Sequence, residues 1–461
     1  MTFKRALLLV SGFLPVAMLF AANPAHARSD NVEGVFQEWL TAFNSGDRDT
    51  IAAFYGEYLG NPQPTLAMDI AQDTCGLDVV RVESRSEQAI SVLLVERCFP
   101  LLHRLEIELG APGDAHLKRL LVRNFALTSQ ATNAALAGIA DRLSQRGDFV
   151  GSLLVADGDG QTLARAWGFL DDSEQTPITL DTPMFLASAG KMFTAVAVLQ
   201  LAEDGLIALD APLGQYLTDY PDPQTAQVTI RQLLSHRGGT GDIGILGRDE
   251  GANRASVRTI ADIIALNGNR APAFEPGSQM AYSNYGFVLL GAVVERVSGQ
   301  DYYDYVAANI FGPAGMSNAG YPDLDHLQGV AAGYTTFFGE QSSLVSNFDT
   351  LPWRGTPAGG GVASANDMLK FFNALRAGTL ITLQSLAMAT SAEEGGWYGM
   401  GFTASPGGNG SWGHGGNAYG MNVAAQYDPA LDTTFICLAS RDAVCDHLIY
   451  SWLFRRIGLT Q

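Results

Sequence analysis

From Asn31 onward the apolar positions fall at helical spacing: Phe36, Leu40 and Phe43 share one face of a first helix, and Ile51, Phe54 and Leu59 one face of a second. After residue 75 the pattern shifts to short apolar runs at 79–82, 90–95, 105–109 and 117–125, which predict strands. Helices followed by an antiparallel sheet predict a small α+β unit over residues 30–126. A second region, 130–461, opens with a helical stretch at 131–145 and a strand pair at 150–156 and 161–168. It closes with strands at 421–427 and 433–440 around the turn Asp428-Pro429, and a long, mainly helical stretch lies between. Strands drawn from both ends of this region, meeting in one antiparallel sheet flanked by helices, predict a single large α/β unit.

Composition narrows the partners. With 47% hydrophobic and 16% charged residues the chain is globular, and a formal charge of −19 excludes a nucleic-acid backbone as partner, which would call for clustered Lys and Arg. Lys4 and Arg5, the apolar stretch 6–22 and the small-x-small site Ala25-His26-Ala27 predict an export signal over residues 1–27. An uncleaved anchor is the alternative, but Pro15 interrupts a core already short for a span. The expected location is periplasmic or secreted, with no stable membrane span after cleavage. Four cysteines suit an oxidising compartment. Cys75 and Cys98 are symmetric about the turn of the hairpin near residue 86, so antiparallel pairing would bring them together. Cys437 and Cys445 flank a short polar turn, where a bridge and two buried thiols both stay open.

Lysine scarcity points to the chemistry. There are only four lysines, Lys4, Lys118, Lys191 and Lys370, beside 24 arginines. Lysine can lose its proton in a protein and arginine cannot, so a lysine inside an apolar run calls for a chemical reason. Lys191 follows Ser188 by three residues, which puts hydroxyl and amine on one helix face as candidate nucleophile and base near a helix N-terminus. Taken alone, the same spacing also describes a capping serine and a lysine reaching for solvent. Tyr282-Ser283-Asn284 lies 94 residues downstream of Ser188 and can place a phenol and an amide at one cleft. Gly413-His414-Gly415-Gly416 follows, on an edge strand where glycines let a substrate backbone approach and the histidine offers a hydrogen bond or a charge. His236 is read as structural, and Trp397-Tyr398 as core more often than substrate wall, although near enough to the third motif to line the cleft.

Ser188-x-x-Lys191, Tyr282-x-Asn284 and His414-x-Gly416, in that order, resemble the three motifs of the β-lactamase-related serine hydrolases: class C β-lactamases, DD-peptidases, D-aminopeptidases and esterases. The stretches 199–210, 229–236 and 359–364 with Asp367 are similar to further segments of that family. The resemblance implies a β-lactamase/penicillin-binding-protein-like fold in which Ser188 forms an acyl-enzyme, with Lys191 and Tyr282 sharing the proton transfers. It also implies an oxyanion site between the backbone N–H groups of Ser188 and Asn417, substrate binding by Asn284, His414 and Gly416, and no metal or organic cofactor. The partner would be a small molecule or short peptide, an ester, an amide or a D-amino-acid peptide. Where many relatives carry Lys-Thr-Gly this chain has His-Gly-Gly, which loses a permanent charge and a hydroxyl suited to a carboxylate and makes a true β-lactamase the poorer expectation. A non-catalytic scaffold of the same fold is the alternative. Residues 36–55 resemble the opening of a nuclear-transport-factor-2-like (NTF2-like) cone domain.

Overall fold

Two antiparallel sheets organise the chain in the computed structural model, which describes residues 29–460 except 30, 111–116, 126, 159, 172, 174, 244–256, 339–342, 393–395, 405–409 and 458. The export signal expected over 1–27 lies outside the described residues. Helix α1 (Val32–Ser45) begins where the Asn31 side chain accepts the Gly34 N–H and ends at Gly46 in the left-handed region. It buries Phe36, Trp39 and Phe43, with Leu40 at the margin of that face. Helices α2 (Arg48–Leu59) and α3 (Thr65–Thr74) complete a helical layer over the meander β1 (Leu77–Arg85), β2 (Ala89–Glu96), β3 (Leu102–Leu109) and β4 (Leu117–Asn124). Leu77 pairs with Glu96 at the base of the first hairpin, so Cys75 and Cys98 face one another just beyond it and form a disulfide with Cα atoms 5.5 Å apart.

The second sheet has the strand order 412–418, 421–428, 433–439, 151–157, 160–167. After α4 (Ser129–Gln145), strands β5 (Gly151–Asp157) and β6 (Gly160–Trp167) lead into the helical region, which contains α5 (Lys191–Glu203) and α6 (Asn284–Ser298). The chain then returns as β7 (Trp412–Ala418), β8 (Met421–Asp428) and β9 (Thr433–Ala439), followed by α7 (Val444–Ile457). Side chains of the interior strand β5, between β9 and β6, alternate between two cores. Leu153 and Val155 pack with α4 and α7, whereas Leu154 and Ala156 join the core built on α5 and α6. Helix α5 is buried continuously from Lys191 to Leu199, as a helix surrounded by other elements must be. Cys437 on β9 bonds to Cys445 in the first turn of α7, with Cα atoms 5.4 Å apart, which resolves the pairing left open by the sequence.

The C-terminus returns to the first sheet. Leu459–Thr460 forms β10, which pairs with β4 as that sheet's fifth strand, and Phe454 on α7 packs into the core of α1–α3. At this junction Arg455 Nη2 lies 2.9 Å from Glu96 Oε2 and His103 Nε2 lies 2.8 Å from Glu96 Oε1, with all three side chains at zero exposure. Removing one member of a buried ion pair leaves its partner's charge uncompensated. Arg455→Met is therefore expected to destabilise the protein by about 3–5 kcal/mol, measured as a lowered denaturation midpoint in urea. Stability within error of the wild type would mean that Glu96 needs no cation.

Candidate active site

Ser188 sits in a 3-10 turn, Ala187–Gly190, directly ahead of α5, so Lys191 opens the α-helix and points its amine back toward the serine. Ala187 holds a positive φ of 45°, a conformation that costs a non-glycine residue on the order of 1–3 kcal/mol and is kept where the surroundings enforce it. The loop after Ala358 supplies that enforcement. Gly360 N–H donates to the Ala187 carbonyl at 3.1 Å and Leu186 N–H to the Gly361 carbonyl at 2.9 Å. Gly359, at φ 140°, lies so close that a Cβ there would come within 2.4 Å of the Ala187 oxygen.

Lys191 has zero exposure and three neighbours for its Nζ: Asn284 Oδ1 at 2.6 Å, the Ala358 carbonyl at 2.5 Å and Ser188 Oγ at 3.2 Å. Two of these can only accept. A neutral amine has two hydrogens and one lone pair, so with both hydrogens donated its lone pair is left for the Ser188 O–H. Burial favours that protonation state by pushing the Lys191 pKa down to about 7, against a smaller upward pull from the Asp242 charge.

The Tyr282 ring lies under the lysine, 4.7 Å from Nζ to centroid. Burial raises its phenol above the ordinary value, the Ser188 hydroxyl opposes this through a hydrogen bond, and Asp242 adds to the rise. The phenol is thus neutral and beside the serine. Asn284, first residue of α6, also donates through Nδ2 to Asp242 Oδ1 at 2.8 Å, which fixes its carbonyl oxygen toward the lysine.

The third motif lies on edge strand β7, which runs against the turn that carries Ser188. A Cβ on Gly416 would stand 2.3 Å from the Leu186 carbonyl oxygen, so only glycine permits this approach. Asn417 then lines the same cleft as Ser188 and Asn284. His414 differs from its expected place facing substrate. It is 5% exposed, its Nδ1 donates to the Gly415 carbonyl, and its Nε2 accepts from the Tyr398 hydroxyl at 2.9 Å. Burial pushes its pKa down to about 3, so it is neutral and offers the cleft no charge.

His236, read from the sequence as structural, and Tyr398, read as core with the cleft wall as the alternative, are both buried. His236, held at φ 58°, accepts the Ser283 N–H through Nδ1 at 3.1 Å and lies 4.1 Å from the Tyr282 ring and 4.4 Å from Tyr398. Burial takes its pKa to about 2, which keeps a second cation away from Lys191. Trp397 stacks on Tyr282 at 6.5 Å. Asp242 and the Ala358 carbonyl escaped the sequence reading: one opens a stretch without any readable motif, and the other is a backbone atom that no side chain announces.

A family model described as beta-lactamase matches residues 136–448, a span that contains all three motifs. The chain belongs to the beta-lactamase family. Relatives bear the names penicillin-binding protein, D-aminopeptidase and esterase. Penicillin-binding protein 4* of Bacillus subtilis is 31% identical over 184 residues, 40% of this chain and 40% of that protein. Esterase EstB of Burkholderia gladioli is 33% identical over 210 residues, 43% of this chain and 53% of the esterase. The match thus spans about half of these relatives or less. Among solved structures, a penicillin binding protein from Bacillus halodurans superposes with a TM-score of 0.62 at 29% identity, covering 67% of this chain and 97% of its own. No helix among the described residues is long and apolar enough to cross a membrane.

Proposed function

We propose that the protein is a serine hydrolase that forms an acyl-enzyme through Ser188. The observation that carries this reading is the environment of Lys191 Nζ, where two acceptors and one hydroxyl match a neutral amine poised as a base. Ser188 Oγ attacks the carbonyl carbon of an ester or amide while its proton passes to Lys191 Nζ, with the Tyr282 phenol beside both as a relay. Negative charge on the carbonyl oxygen is held by the backbone N–H groups of Ser188 and Asn417. The proton then goes to the departing alcohol or amine as the carbon–heteroatom bond breaks, and water, deprotonated by the same base, releases the acid.

Asn284 and the β7 backbone at Gly416 hold the substrate, while His414 acts through Tyr398 and the strand instead of by contact. Residues 130–461 form the hydrolase unit, apart from Leu459–Thr460, which pair with the first sheet; residues 30–126 form an accompanying α+β unit of NTF2-like type, and cleavage after residue 27 delivers the protein to the periplasm or the exterior. Substrates are esters, amides or D-amino-acid peptides. A β-lactam carboxylate fits poorly, because the cleft lining includes Asp242 and Asp442 and no Lys, Arg or His among the described residues.

Labelling with a fluorophosphonate tests the nucleophile directly. Peptide mass spectrometry should find one adduct, on the peptide that contains Ser188. An adduct on a different serine, or none under conditions that label a control hydrolase, would refute the assignment.

A further inference from the structure

The cleft beside Ser188 encloses about 870 Å³, toward the upper end for a small-molecule site and far more than an acetyl or alanyl group fills. One of its walls is a small apolar cluster separate from the main core. Ala187, the residue before the nucleophile, is buried there with Leu351 and Met421, and Phe185, Leu324 and Leu327 pack against them half-buried, with surface left to the cleft. At the mouth Phe337 is 70% exposed while its ring rests 4.9 Å from that of Tyr419. This apolar surface is continuous with the turn that carries Ser188, so an apolar group on a ligand held at Ser188 would cover it.

The two carboxylates that line the cleft, which disfavour an anionic ligand, accept hydrogen bonds from the protein itself. Asp442 accepts from Gly420 N–H at 2.7 Å, the Thr335 hydroxyl at 2.8 Å and Thr336 N–H at 3.0 Å. Asp242 Oδ1 takes Asn284 and Ile243 N–H. Both carboxylates are thus bound to groups of the protein.

We propose, building on the serine-hydrolase reading above, that this wall is a subsite for an uncharged apolar substituent several carbons long, carried on the scissile ester or amide. Leu324, Leu327 and Phe337 set its length selectivity, and the substrate class is that of neutral lipophilic esters or amides.

A series of p-nitrophenyl esters from acetate to dodecanoate, with a parallel series of acetates of lengthening alcohols, tests the subsite and tells which side of the scissile bond it serves. Burying one methylene is worth about fourfold in kcat/KM, so one series should climb on the order of a hundredfold from two to six carbons before levelling off. In Leu327→Ser and Phe337→Ser the ratio of six-carbon to two-carbon substrates should fall to within about tenfold. Because the ratio is taken within each variant, a general loss of activity cancels. A wild-type ratio near one in both series, with acetate turned over only when Ser188 is present, overturns the subsite and leaves the hydrolase standing. No turnover dependent on Ser188 with any ester overturns the reading beneath it. Variants that retain the wild-type climb would move the subsite to another wall and refute the residues named.

Discussion

Ser188→Ala is expected to lower kcat on a neutral ester by at least about 10⁴-fold, leaving only what binding and the oxyanion site can give without a nucleophile. The loss should be catalytic and not structural. Ser188 bonds through its side chain to Lys191 and Tyr282, while the turn that carries it is held by backbone bonds from Gly360 and Gly361 and by the close approach of Gly416. Alanine leaves those supports in place, so the thermal midpoint should move by no more than about 2–4 °C. Steady-state kinetics beside a melting curve separate the two effects. Ester turnover within tenfold of wild type in Ser188→Ala would place the acylation centre elsewhere, however well the motifs align.

What the chain discloses before it is folded depends on whether a feature is local. The hairpin joining β1 and β2 shows itself as two apolar runs about a polar turn, and the symmetry of Cys75 and Cys98 about that turn survives because both register shifts fall beyond Val79, away from the base. Ser188, Lys191, Tyr282 and Asn284 are legible as residue types in order, since each must supply a particular functional group. Their companions are not. Ala358 contributes a carbonyl, which every residue has, and Asp242 acts on the lysine across a gap of 51 residues.

His414 shows the limit of reading chemistry from a side chain alone. The glycines around it bring β7 against the turn that carries Ser188, and the same closeness buries the imidazole, so a residue expected to present a hydrogen bond or a charge to substrate becomes a neutral brace for Tyr398. The return of the C-terminus is hidden for a different reason. Two residues, Leu459–Thr460, carry no period, and their partner β4 lies over 300 residues earlier.

The pH profile should expose the base. Lys191 must be neutral to take the serine proton, and burial sets its pKa at about 7. On that basis kcat/KM rises about tenfold per unit below pH 7 and levels off above it. The titration cannot be assigned to the other groups at the site: His414 and His236 lose their protons near 3 and 2, and Tyr282 keeps its own beyond the ordinary phenol range. Two substitutions make the assignment specific. Asp242→Asn removes a charge that raises the lysine, so the acid limb should move to lower pH. Lys191→Arg retains a cation but cannot shed its proton, so activity should fall by on the order of 10³-fold or more, with no recovery up to pH 9. A limb that stays in place in Asp242→Asn would assign the base to a group that Asp242 does not reach; substantial turnover in Lys191→Arg would transfer the role to the Tyr282 phenolate. That outcome would require the phenol to ionise against the burial that now holds it neutral.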